Sequence, residues 1–408
     1  MANRLALGGF QDGYIIGVDL WDLDLTTKTV GGRITTIDWQ EEWQYRGRAR
    51  MAYDSSRNEV WVAGIYDSIQ CFNSLTGAYK STIQMFNEDC YVDIRQVVID
   101  SADDKMYVAT GFPYIQEGYS CGGDSDYTKI YQIDLATRSI IKSIDYPDEA
   151  YTYTLDIINT TYDGTPHHYL YSASCEPKVI KYSLPDLTYI GYIDNPNSTG
   201  QFSCRPAYSP MGIEYNASCV NESLGYIYYL SWGCTYHIWR VNLRTFANEA
   251  LSPAQGLYHG WGGVDVDTTT GNVFATNRIA TTNRTFKKFD KDLNVLGEVE
   301  IPNSDNWYGV TVIADSINQY VYVVSAYQHP SNLSDIVKIR MSDLSIITRV
   351  DTTYGSWTGG IVMTSPYPPA DPIDDNPDTL PDPGGDPQEI TFRWETYKAI
   401  RSDESLLK

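Results

Sequence analysis

The side chains best able to do chemistry in this chain are aromatic rings, cysteines and carboxylates. Trp43, Tyr91, Tyr153, Tyr208, His259, Trp261, Trp307 and Trp357 each stand just before a short apolar segment rich in small residues. Tyr114 and Tyr119 lie in the longest insertion, residues 112–128. Flat apolar faces with polar edges suit stacking on sugars or gripping a loop of another protein. Three of the segments share a local form: His259-Gly260-Trp261-Gly262-Gly263, Asn306-Trp307-Tyr308-Gly309 and Ser356-Trp357-Thr358-Gly359-Gly360. Glycine at these places allows close backbone approach. Arg48, Arg50, Arg95 and Arg205 lie nearby and carry the charge to orient an acidic sugar. The competing reading is packing, because an aromatic repeated once per unit also fills the space between stacked units.

Enzymatic constellations are scarce. The chain has no G-x-S-x-G elbow, H-E-x-x-H pair, P-loop or dinucleotide fingerprint. A glycosidase needs two facing carboxylates, and Asp93, Asp156, Glu214 and Asp265 are the candidates. No catalytic set assembles from the sequence, so a non-enzyme is expected and no catalytic residue is assigned. No cofactor is implied either. Asp124 and Asp126 suit a Ca²⁺ ion but lack the other ligands of an EF-hand loop. There is no C-x-x-C, and His167-His168 falls away from the cysteines, so no metal site is expected.

What positions these residues is a unit of about forty residues that recurs along most of the chain. Its first strand is apolar and small (49–54, 96–100, 154–158, 211–215, 262–267, 309–314, 359–364), and its second alternates strongly (59–63, 105–109, 169–173, 226–230, 272–276, 320–325). The third carries an I-x-x-I/V/F-D/N pattern (68–73, 129–134, 178–183, 237–242, 285–290, 335–340), ending in Asp or Asn in four of the six. The fourth follows a tight turn (79–84, 140–145, 188–194, 295–301, 346–351). Period-two alternation between Asp/Asn/Ser/Gly turns is the mark of antiparallel strands. Four per unit make a propeller blade. Six units are visible, and 5–10, 14–20 and 29–34 supply three strands of another, completed by 359–364. The expected fold is all-β: a seven-bladed β-propeller of four-stranded antiparallel blades. The C-terminal strand closes its ring beside the N-terminal strands and leaves no open edge.

The segments Tyr320-Val321-Tyr322-Val323-Val324, Lys105-Met106-Tyr107-Val108-Ala109 and Ile130-Tyr131-Gln132-Ile133-Asp134-Leu135 resemble the YVTN/NHL-type seven-bladed propellers. The resemblance covers roughly 5–365 and implies the fold. That superfamily spans binding modules, scaffolds, lyases and hydrolases, so it implies no single activity. No repeating WD dipeptide is present.

Net charge is −22, which disfavours nucleic acid and anionic membrane as partners. No apolar stretch is long enough to span a bilayer. The first residues lack the apolar run of a secretory leader. Yet 34 tyrosines, few lysines and seven cysteines suit an extracellular protein. Three explanations follow, in order of preference: a virion protein assembled before release, a chain whose leader was removed, or a cytosolic protein with a tyrosine-rich surface. Six Asn-x-Ser/Thr sites begin at Asn159, Asn197, Asn216, Asn221, Asn283 and Asn332 and discriminate little.

Strand order puts the 4–1 and 2–3 loops on one rim. Cys90, Cys121, Cys175, Cys204 and Cys234 collect there, with Cys71 inside a strand and Cys219 on the opposite rim. Cys90–Cys121 and Cys175–Cys204 are candidate disulfides, and Cys204–Cys234 competes with the second. The alternative is that all are buried free thiols.

Residues 1–365 thus form the propeller. Residues 366–387 are a Pro/Asp-rich extended linker, and 388–408 a docking strand and tail. In the tail, Ile390, Phe392 and Trp394 alternate with polar residues ahead of Tyr397. A lone amphipathic strand needs a sheet to pair with, which makes these four the candidate partner-docking residues. The leading expectation is a non-enzymatic propeller on a larger extracellular assembly, a virion or phage-like appendage. It would be anchored to other structural subunits through 388–408 and would contact a host glycan or surface protein with its aromatic rim. The alternatives are a secreted carbohydrate-active enzyme or lectin, and a cytosolic scaffold.

Overall fold

The computed structural model describes residues 4–11, 14–31, 50–63, 68–85, 92–113, 129–146, 152–162, 165–174, 178–194, 218–230, 237–253, 260–278, 284–302, 307–327, 333–355 and 360–364. Among them every regular element is a strand. Blade 1 is β1 (Arg4–Gln11), β2 (Tyr14–Asp22) and β3 (Lys28–Val30), joined by β28 (Gly360–Thr364). Blade 2 is β4 (Arg50–Asp54), β5 (Glu59–Ala63), β6 (Ser68–Asn73) and β7 (Tyr79–Gln84). Blade 3 is β8 (Val92–Asp100), β9 (Lys105–Pro113), β10 (Lys129–Asp134) and β11 (Ser139–Asp145). Blade 4 is β12 (Thr152–Tyr162), β13 (Thr165–Ser174), β14 (Lys178–Ser183) and β15 (Thr188–Asp194).

Blade 5 is β16 (Ser218–Asn221), β17 (Tyr226–Leu230), β18 (Ile238–Asn242) and β19 (Ala247–Leu251). Blade 6 is β20 (Gly260–Val266), β21 (Val273–Arg278), β22 (Arg284–Phe289) and β23 (Val295–Ile301). Blade 7 is β24 (Trp307–Asp315), β25 (Tyr320–Tyr327), β26 (Leu333–Arg340) and β27 (Ile346–Gly355). The protein is a seven-bladed β-propeller. The ring closes where the sequence places it, with β28 antiparallel to β1 from Arg4↔Thr364 to Gly8↔Gly360. The propeller unit is Met1–Ile158 with His168–Ala370. A second unit, Asn159–His167 with Asp371–Lys408, contributes only 159–162 and 165–167 to the described residues.

Blade 5 departs from the expectation. Its described inner strand is Ser218–Asn221, the expected 211–215 lying outside the described residues, and its outer strand, Ala247–Leu251, has no counterpart in the expected set. The outer strand hides because Ala247-Asn248-Glu249-Ala250-Leu251 lacks β-branched residues. Cys219 consequently sits in the inner strand, buried, and not on a rim.

Burial follows position in the blade. Strand two is the core: Trp61, Tyr107, Tyr228, Phe274 and Tyr322 are fully buried at one register position. They pair inward with Ala52, Val98, Cys219, Asp265 and Ile313. Each such ring contributes roughly 2–3 kcal/mol by burial. Outer strands face solvent and are mostly exposed.

The blades are fastened by their 3–4 turns. In each, one residue adopts the left-handed conformation: Leu25, Gly77, Arg138, Leu187, Phe246, Leu293 and Leu344, with φ between 48° and 70°. That conformation costs a non-glycine residue about 1–2 kcal/mol. Packing against the preceding blade offsets it. Leu25 joins Tyr322 and Val324 of blade 7, Leu187 joins Tyr107 and Ala109 of blade 3, and Leu293 joins Tyr228 of blade 5. Phe246 meets Tyr171 at 5.8 Å between centroids, and Arg138 lies 5.5 Å from the Trp61 ring. The carbonyl two residues earlier accepts a hydrogen bond from the same neighbour: Leu23 from Tyr322 Oη (2.7 Å), Leu75 from Arg4 Nη1 (3.1 Å), Pro185 from Gln132 Nε2 (2.9 Å) and Lys291 from Arg240 Nη1 (2.7 Å).

Candidate functional site

The rim where inner strands begin is shaped by bulges. In β20, Trp261 pairs with Asn277 and Gly263 with Thr276, so Gly262 is an extra residue. In β24, Trp307 pairs with Tyr327 and Gly309 with Ala326, so Tyr308 is extra. A bulge bends its strand and re-aims the adjacent side chain. The Trp-Gly-Gly and Trp-Tyr-Gly sequences are therefore bulge sequences, which gives their glycines a local purpose. The structure brings Trp261 and Trp307 to the first turns of neighbouring inner strands and Tyr153 to the same rim at the start of β12.

The other rim aromatics, Trp43, Tyr91, Tyr114, Tyr119, Tyr208, His259 and Trp357, lie outside the described residues. So do Asp124, Asp126, Cys90, Cys121, Cys175, Cys204, Cys234, and the docking residues Ile390, Phe392, Trp394 and Tyr397. The two described cysteines, Cys71 and Cys219, are free thiols, and the structure contains no disulfide among the described residues. Arg50, at the start of β4, is only 3% exposed.

Below that mouth the inner strands of blades 4, 5 and 6 carry a polar group each. Asp265 accepts the backbone N–H of Ala314, on the next blade's inner strand, at 2.7 Å, and that of Val266 at 2.8 Å. Burial nevertheless pushes its carboxyl up to about 7 against those two bonds. Asp156 is raised to about 7 by burial as well, opposed by the Ser218 hydroxyl, and its Oδ2 has no hydrogen-bond partner. Between them the buried Cys219 thiol is pushed far up by burial and then by the charges of Asp265 and Asp156. The carboxylates are held by neighbouring blades, Asp265 by β24 and Asp156 by β16. They serve as joints between inner strands. Glu214 lies outside the described residues, as does the side chain of Asp93.

The opposite rim is made of side-chain-capped turns. Asp54, Asp100, Asp267 and Asp315 each accept backbone N–H groups two or three residues on, as their Asp-Ser/Thr context predicts. Asn221 does the same for Leu224 and is fully buried, which removes it as a glycan acceptor. Neighbouring turns are hooked together: Ser101 Oγ donates to Asp54 at 3.2 Å, and Thr268 N to Ser316 Oγ at 2.9 Å.

Asp100, Asp103 and His168 gather on this rim with ligand atoms within 4.8 Å of one another. His168 Nε2 bonds Asp100 Oδ2, and Nδ1 lies 3.4 Å from Asp103 Oδ2. Because each ring nitrogen faces a different carboxylate, the arrangement fits an imidazolium with two N–H donors better than one shared cation. The Asp100 hydrogen bond raises the His168 pKa against a smaller effect of burial.

Two features escaped the sequence reading. The strand-two aromatic belt was visible as alternation but not as one register line, since that line exists only across blades. The turn latches do leave a trace: Asp24-Leu25, Asp186-Leu187, Asp292-Leu293 and Asp343-Leu344 are the same dipeptide at the same place. A buried leucine in a turn otherwise built of polar residues is the signal.

No family model matches the chain, and no curated protein matches its sequence. Solved propellers do match its fold. The Dos1 propeller superposes with a TM-score of 0.54 over 86% of this chain and 81% of that one, at 8% identity. Likeness at that identity establishes the propeller fold alone.

Proposed function

We propose that this protein is a non-enzymatic binding propeller of the YVTN/NHL type, displayed on a larger extracellular assembly such as a virion or phage-like appendage. In this reading residues 388–408 anchor it to other structural subunits, and the rim carrying Trp261, Trp307 and Tyr153 meets a host glycan or surface protein. One observation supports it above the rest. The closing strand β28 runs so that Thr364 pairs with Arg4, which brings the chain out on the rim of capped turns. The bulged tryptophans lie at the other end of the inner strands, at Trp261↔Asn277 and Trp307↔Tyr327. The last described strand thus ends at the rim opposite the bulged tryptophans, which supports a tail and a binding rim used separately. The carboxylates Asp156 and Asp265 are engaged by the inner strands of neighbouring blades, a structural use that favours binding over hydrolysis.

The test is binding of purified protein to intact host surfaces and to a glycan panel. Trp261→Ala and Trp307→Ala should each weaken binding by about 1–3 kcal/mol, the range for losing an aromatic anchor, with unchanged melting temperature. Binding that survives both changes would refute the rim assignment.

A further inference from the structure

Outer strands are the edges of each blade, and exposed edges invite pairing unless charge, proline or a bulge blunts them. Bulges recur here, with Lys80, Ile141, Ile190, Glu249, Leu296 and Ile347 as the extra residues. Charge is the second protection. Lys28 in β3, Lys80 in β7, Lys142 in β11, Glu249 in β19, Glu298 and Glu300 in β23, and Arg349 in β27 each interrupt their strand. β15 keeps its bulge at Ile190 but lacks the charge, which leaves it the least guarded of the described outer strands. Its sequence, Thr188-Tyr189-Ile190-Gly191-Tyr192-Ile193-Asp194, carries no charge before its last residue.

Three of those side chains are strongly exposed: Tyr189 at 47%, Ile190 at 49% and Tyr192 at 47%. On the preceding blade Ile140 and Ile141 are exposed too. A Cβ placed on Gly191 would meet nothing within 4 Å. β15 pairs with β14 from Lys178↔Asp194 to Ser183↔Thr188, and among the described residues no strand covers its other edge. Beyond the ladder to β14, the Asp194 carbonyl accepts Asn248 Nδ2 at 2.6 Å and the Thr188 carbonyl accepts Ser183 Oγ at 3.4 Å.

We propose that the outer edge of β15 receives residues 388–397 of a second copy of this chain, added as a short strand. This rests on the tail-anchor reading above and names the anchor's partner. The segment has the matching form, with Ile390, Phe392 and Trp394 on one face and Glu389, Thr391, Arg393 and Glu395 on the other. Main-chain pairing supplies affinity in strand addition, and alternate side chains supply specificity. Phe392 and Trp394 thus meet Tyr189, Ile190 and Tyr192, apolar against apolar. The spacer 365–387 contains eight prolines, and proline-rich chain extends about 3.1 Å per residue. A semi-rigid spacer of that reach carries the strand toward a neighbour.

Sedimentation velocity of the full-length chain over the micromolar range tests this, alongside full-length Ile190→Lys and Trp394→Glu. Ile190 is half exposed and apart from the buried core, and melting curves check that each variant remains folded. The expected result is concentration-dependent association that either change weakens at least about tenfold, since a charge at an edge blocks pairing. Mixing the two variants restores it, because one keeps an intact tail and the other an intact edge. A monomeric full-length chain, association untouched by Ile190→Lys, or a mixture that stays apart would each overturn the proposal. If Trp394→Glu alone weakens association, the tail is still an anchor but β15 is not its dock. If neither change matters, the tail does not join copies of this chain and the proposal falls, while its anchoring to other subunits is decided by removal of residues 388–408.

Discussion

Tyr322 donates its hydroxyl to the carbonyl of Leu23 at 2.7 Å across 299 residues of sequence, joining the last blade to the first. The bond belongs to the set of latches that tie each blade to a turn of the next, and it lies beside Leu25, whose left-handed backbone is compensated by burial against the Tyr322 ring. A propeller of this kind resists opening at its seam because the seam uses the same fastening as every other interface. β28 adds ladder hydrogen bonds to that seam.

Tyr322→Phe keeps the buried ring and removes only the donor, leaving the Leu23 carbonyl unpaired by this residue. The expected loss is about 1 kcal/mol, measured by reversible denaturant unfolding. A loss within experimental error would show that the seam is held by β28 and packing alone.

Gly77 takes the latch position in blade 2, and its neighbour there is another glycine, Gly31 of blade 1. A Cβ on Gly77 would stand 2.6 Å from Gly31 Cα at a φ of 70°, and one on Gly31 would stand 1.9 Å from the Val18 carbonyl oxygen. Two backbones touch here, where the other blades insert a side chain, leucine in four of them. Gly77→Ala should therefore destabilise by more than about 2 kcal/mol, combining clash with left-handed strain. Gly191→Ala, with open space around it, should cost little. Equal effects of the two substitutions would contradict the close approach.

Two groups make stability fall as pH rises, for different reasons. The raised pKa of His168, set by Asp100, means its clamp is fully stabilising below about 6.5, the value of an unfolded imidazole, and is lost as pH climbs through the higher folded value. Asp156, raised to about 7 by burial, keeps its proton in the fold while the unfolded carboxyl ionises near 3.9, so its penalty grows from about pH 4 to about pH 7 and persists above. Asp156→Asn should raise the melting temperature at pH 8 and change it little at pH 4. His168→Asn should do the reverse, lowering it at pH 5.5 and converging with the parent at high pH. A pH-independent shift in either variant would contradict the assigned charge states.

The ring was legible because its signals are local. Alternation in Tyr320–Tyr327 and the terminal Asp or Asn of strand three, which caps the following turn as Asp134 does for Thr137 N at 2.8 Å, repeat in nearly every blade. Even the closure by β28 could be read from one leftover strand pattern. Blade 5 is less legible where that pattern thins, at Ser218–Asn221 and Ala247–Leu251. The site was less legible. Trp261 and Trp307 were found by their glycines, but the bulges behind those glycines depend on register with β21 and β25. Asp156 and Asp265 drew notice as paired acids, whereas their hydrogen bonds run to adjacent blades, a relation that no spacing within one repeat encodes.

The most direct test of the whole account is assembly after removal of residues 388–408. All the described strands of the ring end by Thr364, so the truncated protein should keep the melting temperature and circular dichroism of the full chain. Incubated with the particle or partner subunits that retain the intact protein, it should sediment alone. Retention of the truncated protein at full-length levels would contradict the anchored-propeller account.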